Sequence, residues 1–99
     1  PLVRADFARY YDEIARLDAD VGAVLAELDA RKLAGDTLVL FMGDNGASQL
    51  RGKGTLYELG IRVPLIARGP GVAAAGRAAD DLVSGEDIAP TVLEACGVP

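Results

Sequence analysis

A continuous apolar segment at residues 37–42 constrains this chain more than any other feature, because it runs directly into a glycine-rich loop. Such a run without polar alternation is typical of a strand that is covered on both faces in an α/β sheet. Asp44 and Asn45 follow where this strand should end, and the next part of the loop presents Arg51 and Lys53. The carboxylate and amide oxygens and the two cations should therefore lie at the same edge of the sheet. This combination suits a divalent metal beside an oxyanion.

The segment before the strand predicts one long amphipathic helix. Apolar residues recur at steps of three and four from about Asp6 to Leu33, and charged residues fill the opposite, solvated face. Gly35 follows a basic last turn, which predicts a left-handed cap and a helix that ends by about Ala34.

The segment after the loop predicts short elements joined by turns. A second strand is expected over residues 60–67, with Pro64 at an edge, a bulge or the strand's start, because proline has no N–H to donate. A helix is expected over residues 84–95, with Ser84 or Asp87 near its cap. Between them we expect a turn at 69–71, a loose surface connection at 72–79 and a short third strand at 82–83. A helix followed by a buried strand is half of a βαβ unit, so the expected fold class is α/β.

Length and composition exclude several kinds of partner. The 99 residues suffice for one domain with a thin core, and the net charge of -5 argues against nucleic acid. A single cysteine rules out an internal disulfide, and without histidine the usual general base and zinc ligand are both missing. No apolar run approaches the roughly 20 residues that span a bilayer, so no membrane partner is expected. The sequence does not assign a compartment.

Each candidate site residue also has an ordinary explanation. Asp44 and Asn45 precede Gly46, and such sequences favour turns because they tolerate positive φ. The segment 51–55 is either an exposed flexible loop or a loop whose glycines let the backbone approach an anion, with Lys53 as a donor. It lacks the Walker spacing of a nucleotide-binding loop. Cys96 has no histidine or basic neighbour to activate it, so we expect a buried structural thiol.

Taken together, several stretches resemble the C-terminal part of the catalytic domain of a sulfatase, in the alkaline phosphatase superfamily. The most specific signal is an ordered pair, a DNG after a hydrophobic strand and a GKGTxYExGxRVP-like segment soon after it. This resemblance implies that residues 1–99 form a single partial domain, part of a mixed, mostly parallel sheet flanked by helices. The stretches are YYDEIARLDADVG at 10–22, DTLVLFMGDNG at 36–46, RGKGTLYELGIRVPLI at 51–66, PGV at 70–72 and LVSGEDIAPTVLEACGVP at 82–99.

The resemblance implies hydrolysis of a small-molecule sulfate ester by a formylglycine nucleophile beside a bound Ca²⁺, with Mg²⁺ as the other candidate metal. By position, Asp44 and Asn45 match metal ligands of the family, and Lys53 matches the lysine that contacts the sulfate and helps stabilise the leaving oxygen. Two alternatives stay open at this point. One is a phosphonate or phosphodiester hydrolase of the same superfamily, and the other is a noncatalytic module that binds a metal or an anion.

The chain also departs from the family pattern. The Cys/Ser-x-Pro-x-Arg nucleophile motif is absent, because Cys96 is followed by Gly97, Val98 and Pro99. The N-terminal aspartate pair and the histidines are missing too, Leu59 stands where glycine is common, and Gly85 stands where histidine is frequent. We therefore expect the isolated chain to hold half a site and to be inactive. Exposed sheet edges should also favour self-association.

Overall fold

The computed structural model describes residues 2–72 and 76–98, and the chain divides into two units between Asp36 and Thr37. The first unit consists mainly of one helix, α1 (Leu2–Ala30). The second contains strand β1 (Val39–Met42), the one-turn helix α2 (Glu58–Ile61), strand β2 (Leu65–Arg68) and helix α3 (Ile88–Ala95). Helices and strands thus combine as the sequence predicts.

Helix α1 confirms the predicted amphipathic helix, although it begins and ends about four residues earlier. The left-handed residue that ends it is Lys32, with φ 60°, and the prediction that Gly35 would have this role is wrong. Lys32 N–H donates to Asp29 O and Leu33 N–H donates to Leu28 O, at 3.0 and 2.9 Å. These two bonds form the Schellman arrangement, which satisfies the last carbonyls before the chain reaches Gly35.

Strands β1 and β2 pair antiparallel, with Phe41 opposite Ile66 and Met42 opposite Leu65. The predicted start of the second strand is wrong, because Gly60 and Ile61 belong to α2 and β2 begins at Leu65. Pro64 lies directly before β2, one of its three predicted places, and its carbonyl accepts the Gly43 N–H at 3.0 Å. A residue without an N–H can accept in the ladder but cannot donate to it. The one strand pair among the described residues is antiparallel, so it does not confirm the mostly parallel sheet, which stays a prediction.

The C-terminal helix begins with the predicted cap. Ser84 N–H donates to the Asp87 carboxylate at 2.7 Å, and the Ser84 hydroxyl accepts from the Glu86 N–H at 3.4 Å, ahead of a 3-10 turn at Gly85–Asp87. Residues 82–83 form no strand, which corrects the expected third strand. The predicted turn at 69–71 is present, with Val72 N–H donating to Gly69 O at 3.3 Å. The expected loose connection lies in part outside the described residues, at 73–75.

Within the described residues, no hydrophobic side chain is buried. Leu50, Leu56 and Leu82 are about nine-tenths or more exposed, and Cys96 is exposed as well, so the prediction of a buried thiol is wrong. Within the described part of the second unit, helix α3 contacts the 3-10 turn before it, and Cys96 directly follows α3. None of the described helices combines the length and apolar character needed to cross a membrane.

Candidate functional site

The segment between β1 and β2, residues 43–64, is the candidate site, and we name it the inter-strand loop. Antiparallel neighbours are usually joined by about two to five residues, and connections longer than about 12 to 15 residues are usually either functional or linker segments. The inter-strand loop begins directly at the end of β1 and contains Asp44, Asn45 and Lys53. All three residues that the sequence singles out therefore lie in one segment that two paired strands hold at both ends.

Two backbone hydrogen bonds close the base of the inter-strand loop. Gly43 N–H donates to Pro64 O at 3.0 Å, and Gly46 N–H donates to Gly60 O at 3.2 Å. The second bond requires a glycine at position 46, because a Cβ there would overlap the Leu59 carbonyl oxygen and lie 2.6 Å from Gly60 Cα. Asp44 and Asn45 stand between these two bonds, so their backbone is fixed from both sides.

A second set of backbone bonds folds the lysine segment onto the start of the loop. Lys53 N–H and Gln49 N–H both donate to Ala47 O at 2.8 Å, and Gly52 N–H donates to Gln49 O at 2.9 Å. Gly52 is buried, and a Cβ at that position would overlap the Ala47 carbonyl oxygen. The backbone of Lys53 is therefore hydrogen-bonded to Ala47, two positions after Asn45.

The turn that carries Lys53 is braced by its own side chains. The Thr55 hydroxyl lies 2.9 Å from Arg51 O and 2.8 Å from Gly52 O, so its one proton can be donated to either carbonyl. The Arg51 guanidinium lies over the Tyr57 ring, with Cζ 5.0 Å from the ring centroid. These contacts join the residues on both sides of Lys53 without using the lysine side chain.

The three predicted site residues present different chemistry to solvent. Asp44 and Lys53 are exposed, and neither takes part in an ion pair among the described residues. Asn45 is half-buried, and its Nδ2–H donates to Gly46 O at 3.0 Å, which leaves Oδ1 as an acceptor. A carboxylate, an amide oxygen and an ammonium are thus placed on one loop, with no direct pairing of the two charges.

This donor set suits a hard cation but supplies only part of a coordination shell. Ca²⁺ takes roughly six to eight oxygen ligands, and Asp44 with Asn45 offers a minority of them. In the described part of the chain, no three histidine, cysteine, aspartate or glutamate side chains cluster where they could hold a metal ion. A metal at this loop would need further ligands from elsewhere.

The sequence missed the residues that brace the loop. The contact of Tyr57 with Arg51 and the positive φ of Arg51, 63°, were not predicted. One available signal was Thr55 after a Gly-x-Gly, since threonine hydroxyls commonly bond to carbonyls three and four residues earlier. Arg62 lies 4.0 Å from Glu58, and both side chains are exposed.

The similarity of this chain to known proteins extends over nearly its whole length. A family model described as Sulfatase matches residues 4–98. The chain is 36% identical over 96 residues to an ulvan-active sulfatase of Formosa agariphila and 37% identical over 100 residues to the human N-sulphoglucosamine sulphohydrolase. It is 40% identical over 106 residues to the human arylsulfatase H.

The aligned regions cover 97%, 100% and 90% of this chain, respectively, but only 16%, 20% and 19% of those relatives. The chain thus spans about a fifth or less of the length of the curated relatives that it matches. No solved structure matches the chain.

Proposed function

Because the chain belongs to the sulfatase family, we propose that it is part of an enzyme that hydrolyses sulfate esters, and that it supplies the metal-binding and sulfate-contacting half of the active site. It corresponds in this proposal to the C-terminal part of the catalytic domain. The observation that carries the proposal is the inter-strand loop, which places Asp44 and Asn45 at the end of β1 and bonds the Lys53 backbone to the same loop.

Lys53 is the proposed catalytic residue of this chain. Its ammonium is exposed and makes no ion pair with a described residue, so it is available to an anionic substrate. Hydrolysis of a sulfate ester leaves negative charge on the leaving oxygen, and a donor fixed beside that oxygen stabilises the transition state more than the ground state. The hydrogen bond from Lys53 N–H to Ala47 O fixes the backbone from which this ammonium extends.

Asp44 and Asn45 are the proposed metal ligands. The Asp44 carboxylate is exposed, and the hydrogen bond from Asn45 Nδ2 to Gly46 O orients the amide so that Oδ1 remains as an oxygen donor. These oxygens fit Ca²⁺ or Mg²⁺, which when bound supplies positive charge close to the sulfate oxygens. The remaining ligands and the nucleophile, a formylglycine, are assigned to parts of the full-length protein outside this chain.

The test uses the full-length protein and 4-nitrophenyl sulfate. Lys53→Ala should lower kcat about 100-fold to 1,000-fold, the usual effect of removing one donor to a developing oxyanion. Arg62→Ala is the matched control, because it removes the same charge from an exposed side chain outside the turn. Its kcat should stay within about twofold of the wild-type value. An equal kcat for Lys53→Ala and the wild type would refute the proposed role.

Two further assays distinguish the alternatives. The isolated 99-residue chain should show no turnover, even with added Ca²⁺, and turnover there would contradict the assignment of the nucleophile to another part of the protein. A phosphonate monoester of 4-nitrophenol tests the superfamily alternative, since Asp44, Asn45 and Lys53 suit any tetrahedral oxyanion. Faster hydrolysis of the phosphonate than of the sulfate would change the proposed substrate class.

A further inference from the structure

Arg51 has a backbone conformation that side chains rarely adopt. Its φ is 63°, and Lys32 at the end of α1 is the other described non-glycine residue with positive φ. Lys32 has an evident reason, because it closes a helix with a pair of backbone hydrogen bonds. Arg51 closes no helix, so its left-handed backbone must be maintained by other contacts of the loop.

Two contacts join Arg51 to residues after Lys53, one from its side chain to the Tyr57 ring and one from its carbonyl to the Thr55 hydroxyl. The guanidinium carbon lies 5.0 Å from the Tyr57 ring centroid, within the range of a cation–π interaction. The Arg51 carbonyl lies 2.9 Å from Thr55 Oγ1. The side chain and the carbonyl of Arg51 are therefore both attached to residues on the far side of Lys53.

The residue between Arg51 and Lys53 leaves little room for adjustment. Gly52 is buried, its N–H donates to Gln49 O at 2.9 Å, and its Cα faces the Ala47 carbonyl so closely that a Cβ would overlap it. If Arg51 returned to a right-handed backbone, the direction of the chain through Gly52 would change. The N–H of Lys53 would then leave Ala47 O, and the ammonium would be re-aimed.

We propose that Arg51 is a positioning residue, whose stack on the Tyr57 ring fixes the left-handed turn that presents Lys53. The proposal rests on the proposed function of Lys53 and extends it to two residues that need not touch the substrate. If Arg51 is a positioning residue, the ring of Tyr57 is as important as the guanidinium charge. If Arg51 were instead a second anion ligand, the guanidinium charge alone would matter.

The kinetic test compares Tyr57→Leu with Tyr57→Phe in the full-length protein, using 4-nitrophenyl sulfate. Tyr57→Leu removes the π face without changing net charge and should lower kcat about two- to fivefold, the factor that corresponds to losing an exposed cation–π contact, with KM nearly unchanged. Tyr57→Phe keeps the π face and should retain most of the kcat. In a Lys53→Ala background, Tyr57→Leu should cause no further fall, because the stack acts through the lysine.

Three results would overturn the proposal. They are an unchanged kcat in Tyr57→Leu, an equal fall of kcat with and without Lys53, and a rise in KM at constant kcat. The last of these would instead mean that Arg51 or Tyr57 contacts the substrate directly. Arg51→Ala with Arg62→Ala as the charge-matched control should repeat the pattern of Tyr57→Leu, and equal kinetics in these two arginine variants would count against it.

A second readout separates this proposal from the proposed function. Amide hydrogen exchange at Gly52 and Lys53 should become about two- to fivefold faster in Tyr57→Leu, the range expected for losing an exposed cation–π contact, and stay unchanged in Tyr57→Phe. If Lys53→Ala leaves kcat unchanged, the proposed function fails, and the exchange rates alone decide on Arg51. Equal exchange rates in Tyr57→Leu and the wild type would then refute the positioning role.

Discussion

Gly46→Ala should displace the base of the inter-strand loop, because the added methyl group has no space. Its Cβ would overlap the Leu59 carbonyl oxygen and lie 2.6 and 2.7 Å from Gly60 Cα and Leu59 C. All three are backbone atoms, so no side-chain rotation relieves the overlap. Overpacking costs about 1–3 kcal/mol, and weakening the Gly46–Gly60 hydrogen bond adds about 0.5–1.5 kcal/mol, which together give about 1.5–4.5 kcal/mol.

Amide hydrogen exchange measures this local cost in the full-length protein. A loss of about 1.5–4.5 kcal/mol corresponds to exchange about 10-fold to 2,000-fold faster at residues 43 and 46, whose amides close the loop. Two glycines serve as controls, since a Cβ at either meets nothing within 4 Å. Gly85→Ala should change little, whereas Gly54→Ala isolates the cost of a positive φ, 79°, at about 1 kcal/mol.

The same variant should affect the site. Asp44 and Asn45 stand between the two bonds that close the loop, so a shift at residue 46 moves both proposed ligands. We expect weaker Ca²⁺ binding and a lower kcat in Gly46→Ala than in Gly85→Ala. Identical exchange rates in these two variants would refute the argument that close backbone contact at Gly46 fixes the loop.

Three further predictions concern the metal ligands, the sheet edges and the last helix. Asp44→Asn removes a ligand charge, so it should weaken Ca²⁺ binding to the full-length protein at least about tenfold, as measured by calorimetry. The control Asp36→Asn should not weaken it. Equal Ca²⁺ affinities of the two variants would exclude Asp44 as a ligand. The isolated chain should sediment above its monomer mass at high concentration, because the described β1–β2 sheet has two strands and large apolar side chains are exposed. A monomer at high concentration would contradict this. Ser84→Ala should destabilise the start of α3 by about 0.5–2 kcal/mol, seen as faster amide exchange at Glu86 and Asp87, and unchanged rates would show that the cap contributes nothing.

Elements with a strong local pattern could be predicted from the sequence. The three- and four-residue periodicity located α1, the unbroken apolar run located β1, and the capping residue types Ser84 and Asp87 located the start of the last helix. In each of these, residues a few positions apart determine the structure. The position of Asp44 and Asn45 at the end of β1 follows from the same local signal.

Features that depend on contacts between distant residues could not be predicted in this way. The start of β2 is set by where Pro64 can pair with Gly43, and the apolar pattern over residues 60–67 gives no sign of the short α2 turn. The antiparallel pairing of β1 with β2 is likewise a tertiary choice. Exposure of Cys96 depends on which elements cover α3, and no pattern within the helix reports that.

The loop owes its conformation to backbone contacts more than to a hydrophobic core. The hydrogen bonds described for it join residues between 43 and 64, and no hydrophobic side chain of the described chain is buried. Close approach of this kind requires residues without a Cβ, which explains why Gly46, Gly52 and Gly60 each sit against a carbonyl oxygen. Substitutions at these glycines should therefore move Lys53 more than apolar substitutions of similar size in β1. Phe41→Leu compared with Gly60→Ala, by exchange at the Lys53 amide, tests this ordering directly, and equal effects would show that packing of the sheet sets the loop.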